Sequence, residues 1–267
     1  MFFSMRILVC IKQVPSSNQV KVDTKTGVLQ RSGDDTKLNP YDEYALETAL
    51  QIRDQTGGTV SAITMGAAFS VDILREAYGF GVDDAILLTD STFAGADVLA
   101  TSFALSQAIQ VAGPFDLIIC GRQTTDGDTA QVGPALAEWL GIPHVSWVSK
   151  IVKVYSKKIV VEQDMGNLVA DAAMPYPSLI TVERDIVRPR LPSYMMLKRT
   201  RDYPIRTLTL ADLSCKDPMR YGLIGSPTQV ERIFPPETGA PAEELTGTSE
   251  EVATLIFEKI GKLKLFL

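Results

Sequence analysis

The 267-residue sequence is poor in the side chains that most enzymes use for covalent or metal chemistry. It has one histidine, His144, and three widely separated cysteines, Cys10, Cys120 and Cys215. With no CxxC or HxxxH spacing, clustered zinc or iron–sulfur ligands are excluded and no metal site is expected. An odd, sparse cysteine count argues against a disulfide-stapled secreted fold. A Ser–His–Asp mechanism would have to use His144, which sits in the apolar run Gly141-Ile-Pro-His-Val145 and reads as a packing residue. No run of about 18 apolar residues exists, so no membrane insertion is expected. The apolar start, Met1 to Met5, is far too short for a signal peptide, and Met5 is an alternative start. A reducing, cytoplasmic location follows. A net charge of −6 argues against nucleic-acid binding, whose affinity comes from neutralising phosphates. GxGxxG is missing after the first strand-like run, where Lys12-Gln-Val-Pro15 stands, and there is no Walker A motif.

What is present is regular alternation. Ile7–Ile11 is a continuous apolar run, as in a strand buried on both faces. Asp23–Gly27 reads as a turn within two short extended pieces, Lys21–Gln30. Asn39-Pro40 reads as an N-cap with proline at the first helical position, and Gly57-Gly58 as that helix's stop. Strands are expected at 59–65, 85–88 and 116–120, and helices at 69–78, 96–111 and 129–140. Strand–helix alternation of this kind predicts an α/β protein, a Rossmann-like doubly wound and mostly parallel sheet. Such sheets bind ligands beyond the carboxyl ends of their strands. After Gly141 the pattern changes to short strands near 144–155, 158–163, 168–172 and 178–182, read as antiparallel additions. The stretch from Arg184 to Arg201 is basic and proline-interrupted. Domain limits of 1–200 for the α/β body and 201–267 for a C-terminal arm follow, with one helix near 250–263.

The densest chemical signal is Gly121-Arg-Gln-Thr-Thr-Asp-Gly-Asp-Thr-Ala-Gln-Val-Gly-Pro134. It follows a strand and opens a helix. Small residues let the backbone approach a ligand, and Thr125, Thr129 and the free N–H groups of a first helical turn suit phosphate oxygens. Asp126, Asp128 and Thr129 are N-cap types. Asn39-Pro-Tyr-Asp42 belongs to the same sheet edge. Asp83-Asp84 reads as a solvated turn. With no convincing acid–base pair, a bound cofactor is expected to do the chemistry, and no side chain is assigned as catalytic.

These residues resemble a known family. Arg6–Pro15, Asn39–Asp42, Gly121–Pro134 and Pro177–Met196 look, in order, like the beta subunit of electron transfer flavoprotein. The resemblance implies pairing with an alpha subunit, which the 201–267 arm would contact. It implies an adenine nucleotide held by Cys10, Asn39, Pro40, Tyr41, Asp42, Met65, Gly121, Arg122, Gln123, Thr124, Thr125, Asp126, Gly127, Asp128, Thr129, Ala130, Gln131 and Val132. Conventional members hold AMP there. Electron-bifurcating members hold a second FAD, and Asp126–Pro134 with Val14-Pro15 is similar to theirs, Gly127 standing where animal AMP-binding members have a bulkier acidic residue. The resemblance therefore implies an FAD-binding subunit of an NAD-dependent oxidoreductase complex. It would exchange hydride with NAD(H), reduce ferredoxin, and pass electrons through the alpha-subunit FAD to a flavin dehydrogenase of acyl-CoA or 2-hydroxy acid type. The loop near 184–200 is similar to the family's recognition loop, with Leu191 as anchor beside Arg190 and Pro192. Structural AMP is the alternative, and a nucleotide-binding sensor or scaffold is one of another class. Tyr221–Thr228 also looks like bacterial members and is assigned to packing or subunit contact.

Overall fold

The computed structural model describes residues 4–16, 36–231 and 242–262; the expected turn at Asp23–Gly27 lies outside them. The chain divides into two compact units, Met1–Glu231 and Arg232–Leu267. In the first, the elements are β1 (Met5–Cys10), β2 (Gln13–Pro15), β3 (Thr36–Leu38), α1 (Pro40–Thr56), β4 (Gly58–Met65), α2 (Val71–Phe80) and β5 (Asp84–Leu88). Then come α3 (Val98–Ala112), β6 (Leu117–Gly121), α4 (Val132–Leu140), β7 (His144–Val154), β8 (Lys158–Asp164), β9 (Val169–Pro175), β10 (Ser178–Val182), α5 (Tyr194–Arg199) and β11 (Arg206–Leu208). The second unit contains α6 (Ser249–Lys262), whose start is closed by a reciprocal Thr248–Glu251 cap.

The main sheet among the described residues has the order β11-β5-β4-β1-β6-β10-β7-β8-β9. From β11 to β7 every neighbouring pair is parallel, while β8 and β9 are antiparallel. This is the expected doubly wound α/β sheet. Its logic is visible in β1. Met5, Ile7 and Val9 point into the core shared with α1 and α2, and Leu8 points into the core shared with α3 and α4. A strand covered on both faces must be apolar at successive positions, which is why Ile7–Val9 shows no alternation. On α1, Leu46, Ala49 and Leu50 are fully buried against that first face. Truncating such a leucine to alanine costs roughly 2–5 kcal/mol.

Three readings change. Ser178–Val182 is not an antiparallel addition: β10 lies in the middle of the sheet, parallel to both β6 and β7, with all five residues buried. The antiparallel extension is β8 and β9 alone. His144 opens β7 but is exposed rather than packed. The compact unit also continues past residue 200 to Glu231. There β11 pairs with β5, and Tyr221 is 1% exposed between the Phe93 and Phe103 rings, 5.3 Å from each. Gly222 (φ 56°) passes so close to Thr92 and Ala94 that no side chain fits, and Ser226 and Thr228 bond around Asp97 at the start of α3. The Tyr221–Thr228 run is thus a packed clamp.

Candidate functional site

The site is assembled from the carboxyl ends of β1 and β6. Cys10 and Cys120 are register partners on these strands. The hydrogen bond to Cys10, then burial, hold the Cys120 thiol well above its ordinary range, so it is a neutral packing group. Next to them Gly121 permits a close approach. A Cβ there would lie 2.4 Å from Asp42 Oδ1 and 2.8 Å from the Tyr41 carbonyl carbon. The first turn of α1 therefore sits directly on the end of β6.

Asp42 is the joint. It is 4% exposed, and its Oδ2 accepts from the Lys12 N–H at 2.7 Å. Burial pushes its pKa up to about 7, against the lowering effects of the Lys12 N–H, the Asn39 side chain, the Lys12 ammonium and the Gly121 N–H. Asn39 is fully buried and occupies the N-cap position of α1, but its side chain makes no cap hydrogen bond. Instead its Nδ2 donates to the Gln123 carbonyl at 2.9 Å, joining α1 to the loop after β6.

That loop runs from Arg122 to Gln131, since α4 begins only at Val132. The expected helix start at Thr129 is corrected here: Gln131 is the N-cap and no side chain caps it. Asp128 (φ 51°) and Ala130 (φ 54°) adopt left-handed backbone, which stops helical hydrogen bonding from extending upstream. For Ala130 that conformation costs about 1–2 kcal/mol. Thr125, Asp126, Gly127, Asp128 and Thr129 are exposed. The loop base is secured by Arg122. Its N–H donates to the Val182 carbonyl at 3.0 Å, its Nη1 bonds Glu183 at 2.9 Å, and its guanidinium lies 4.2 Å from the Trp147 ring centroid. The loop tip is tied to β1 by Lys12 Nζ, 2.7 Å from Asp126 Oδ1. A turn within it is closed by the Gly127 N–H donating to Asp126 Oδ1 at 2.8 Å.

Of the residues singled out from the sequence, Cys10, Asn39, Pro40, Tyr41, Asp42 and the run Gly121–Val132 therefore lie at one edge. Met65 ends β4, the neighbour of β1, and is partly buried in the same core cluster as Cys10. Arg190, Leu191 and Pro192 lie elsewhere: Arg190 bonds Glu47 and Asp54, in the middle and last turn of α1, Pro192 packs near Gly79 of α2, and Leu191 is exposed. Sequence reasoning missed Lys12 as a tie, and Trp147 and Glu183 as the seat of Arg122. Lys12 was signalled by its place at a strand's carboxyl end; the other two are remote in sequence and carried no local signal. Asp83 holds the Arg53 guanidinium at 3.1 Å and the Val60 N–H at 2.9 Å, a structural turn.

A doubly wound α/β protein with a small-residue loop beyond β6 is thus defined. The Electron transfer flavoprotein domain family matches residues 26–213. The electron transfer flavoprotein subunit beta of Thermoanaerobacterium thermosaccharolyticum is 41% identical over 258 residues, 96% of this chain and 98% of the relative. Subunit CarD of the caffeyl-CoA reductase-Etf complex of Acetobacterium woodii matches to the same extent. Protein FixA of Azorhizobium caulinodans is 40% identical over 252 residues, 92% of this chain and 90% of the relative. The chain belongs to the electron transfer flavoprotein family, as a beta subunit. Beta subunits of this family partner with alpha subunits in redox electron transfer, and the family binds flavin or AMP. No helix among the described residues is long and apolar enough to cross a membrane.

Proposed function

We propose that this chain is the FAD-binding beta subunit of an electron-bifurcating flavoprotein. It would exchange electrons with NAD(H), reduce ferredoxin, and feed a partner flavin dehydrogenase through an alpha-subunit FAD. A cytoplasmic setting goes with this reading. The observation that carries it is the exposed, small-residue loop after β6, where nothing packs on Gly127: a Cβ there would meet only Thr124 Oγ1, at 3.8 Å. The relatives named CarD and FixA fit the proposal, since CarD is by name part of a reductase–Etf complex.

The residues present fit an adenine nucleotide. Asn39 Oδ1 and Arg122 Nε are buried without a hydrogen-bond partner among the described residues, at either side of the loop. Unmet polar atoms of this kind await a ligand or ordered water. Residues Thr125–Thr129 are exposed, and apart from the Gly127 N–H, which Asp126 takes, their backbone N–H and threonine hydroxyl groups suit phosphate oxygens. Bound there, FAD would supply two-electron exchange with NAD(H) and single-electron transfer onward. The chain's own part is positioning. Lys12 and Asp126 fix the loop tip, Arg122 fixes its base, and Asn39 holds Gln123.

Extracting the nucleotides from the purified alpha–beta heterodimer tests this. Two FAD per heterodimer, with flavin bleaching on NADH addition, is the expected result. One FAD with one AMP would overturn it in favour of a conventional carrier.

A further inference from the structure

Leu191 is 88% exposed, while the residues on either side of it are held down. On one side, Arg190 donates from Nε to Glu47 Oε2 at 2.6 Å, from its backbone N–H to the same oxygen at 3.2 Å, and from Nη2 to Glu47 Oε1 and Asp54 Oδ2, both at 3.2 Å. On the other, the Ser193 N–H donates to the Gly79 carbonyl at 3.0 Å. A Cβ on Gly79 would lie 2.6 Å from Leu197 Cδ2 and 3.3 Å from Pro192 Cβ, so α2 and the loop are in close contact. Tyr194 and Met195, 75% and 71% exposed, extend the apolar surface.

Glu47 is unusual within this arrangement. It lies in the middle of α1 and is 4% exposed. Burial alone would raise its pKa, yet the hydrogen bonds from Arg190 and Gln51 hold the carboxyl below its ordinary range. A buried carboxylate satisfied by a bidentate guanidinium is a rigid joint, because both planar groups must stay in register. Leu191 thus stays outward between two fixed neighbours, without packing of its own. A fixed loop also loses less entropy on docking.

We infer that Glu47 is a positioning residue for partner docking: through Arg190 it locks the 190–196 loop with Leu191 held outward. The inference rests on the proposed transfer of electrons to a partner flavin dehydrogenase and on the anchoring role that the resemblance implies for Leu191 there. It also gives α1 two duties, since the same helix carries Asn39 and Asp42 at its start. Asp54 lies 15 residues beyond Asn39, about 22 Å along the helix at 1.5 Å per residue.

The test uses the intact alpha–beta heterodimer, with an acyl-CoA dehydrogenase and crotonyl-CoA as electron acceptor system. Glu47→Gln keeps the size of the side chain and removes its charge. It should raise the KM for the dehydrogenase about ten-fold, leave kcat within two-fold, and leave nucleotide content unchanged. Backbone amides of 190–196, measured by hydrogen exchange without any partner, should exchange about ten-fold faster. Gly79→Ala, which favours α2 but pushes on Leu197, is the second variant and should raise KM without lowering Tm. Leu191→Ala runs alongside. If it leaves KM unchanged, the docking reading fails. If it raises KM while Glu47→Gln changes neither KM nor exchange, the positioning role of Glu47 is overturned and the docking reading stands. If Glu47→Gln does not fold, an unchanged KM and unchanged 190–196 exchange in Arg190→Lys, which cannot make the two-pronged bond to Glu47, would overturn the inference.

Discussion

Lys12 Nζ sits 2.7 Å from Asp126 Oδ1, joining the end of the first strand to a loop 114 residues later. The two side chains are 44% and 16% exposed, so the pair itself contributes little to global stability, about 0–1 kcal/mol. Its value is local, since it holds an exposed loop in one geometry.

Lys12→Met and Asp126→Ala are therefore expected to lower nucleotide retention severalfold while shifting Tm by no more than a few degrees. Retention after gel filtration, set against Tm, checks this. Burial would raise the Asp126 pKa, but the Lys12 hydrogen bond and charge bring it below its ordinary value. The loop tie is thus fully present above the ordinary carboxylate pKa and is lost as pH falls through the lowered one. Full retention in Asp126→Ala would count against the loop assignment.

Asp42 behaves in the opposite sense. Its folded pKa of about 7 lies above the ordinary 3.8, so between these values the folded state keeps a proton that the unfolded state has released. Stability should fall as pH rises through that window, with a slope approaching 1.4 kcal/mol per pH unit for a single such group, roughly. Urea unfolding of nucleotide-free protein at pH 5, 6, 7 and 8 measures it. Asp42→Asn should flatten the profile; an unaltered slope in that variant would assign the effect to other groups.

Gly121→Ala should be worse than its size suggests. The new methyl would lie 2.4 Å from Asp42 Oδ1 and 2.8 Å from Tyr41 backbone, neither of which can swing away. A cost of about 1–3 kcal/mol is expected from overpacking, with loss of nucleotide. Gly127→Ala meets nothing nearer than 3.8 Å and should fold normally. Thermal melts of the two variants side by side decide whether space at the two glycines differs as described.

Much of this is legible in the amino-acid sequence. The Ile7–Val9 run, the Asn39-Pro40 start and the Gly57 stop are local signals, and the structure follows them because burial on both faces and proline's fixed φ act locally. The Gly121 loop was visible as composition. Three things were not. Asn39 looked like a helix cap, yet its amide reaches Gln123, a partner 84 residues away. The α4 start moved because Asp128 and Ala130 are left-handed, which an Ala does not advertise. Glu47 carries no local signal at all, and its partner Arg190 returns to it across 143 residues. Two of these rest on a contact distant in sequence, and the third on a local backbone conformation that the residue type does not encode.

The central place of β10 sets an order of events during synthesis. The chain leaves the sheet after β6, builds β7, β8 and β9, and only then returns to fill the position between β6 and β7. The Arg122 N–H waits for the Val182 carbonyl, and its guanidinium for Glu183. A nascent chain emerging from the ribosome therefore carries the whole loop long before it can fix the loop's base. Pairings this distant are slow to form, so on the proposed reading nucleotide retention is expected only after residue 183 has emerged from the exit tunnel.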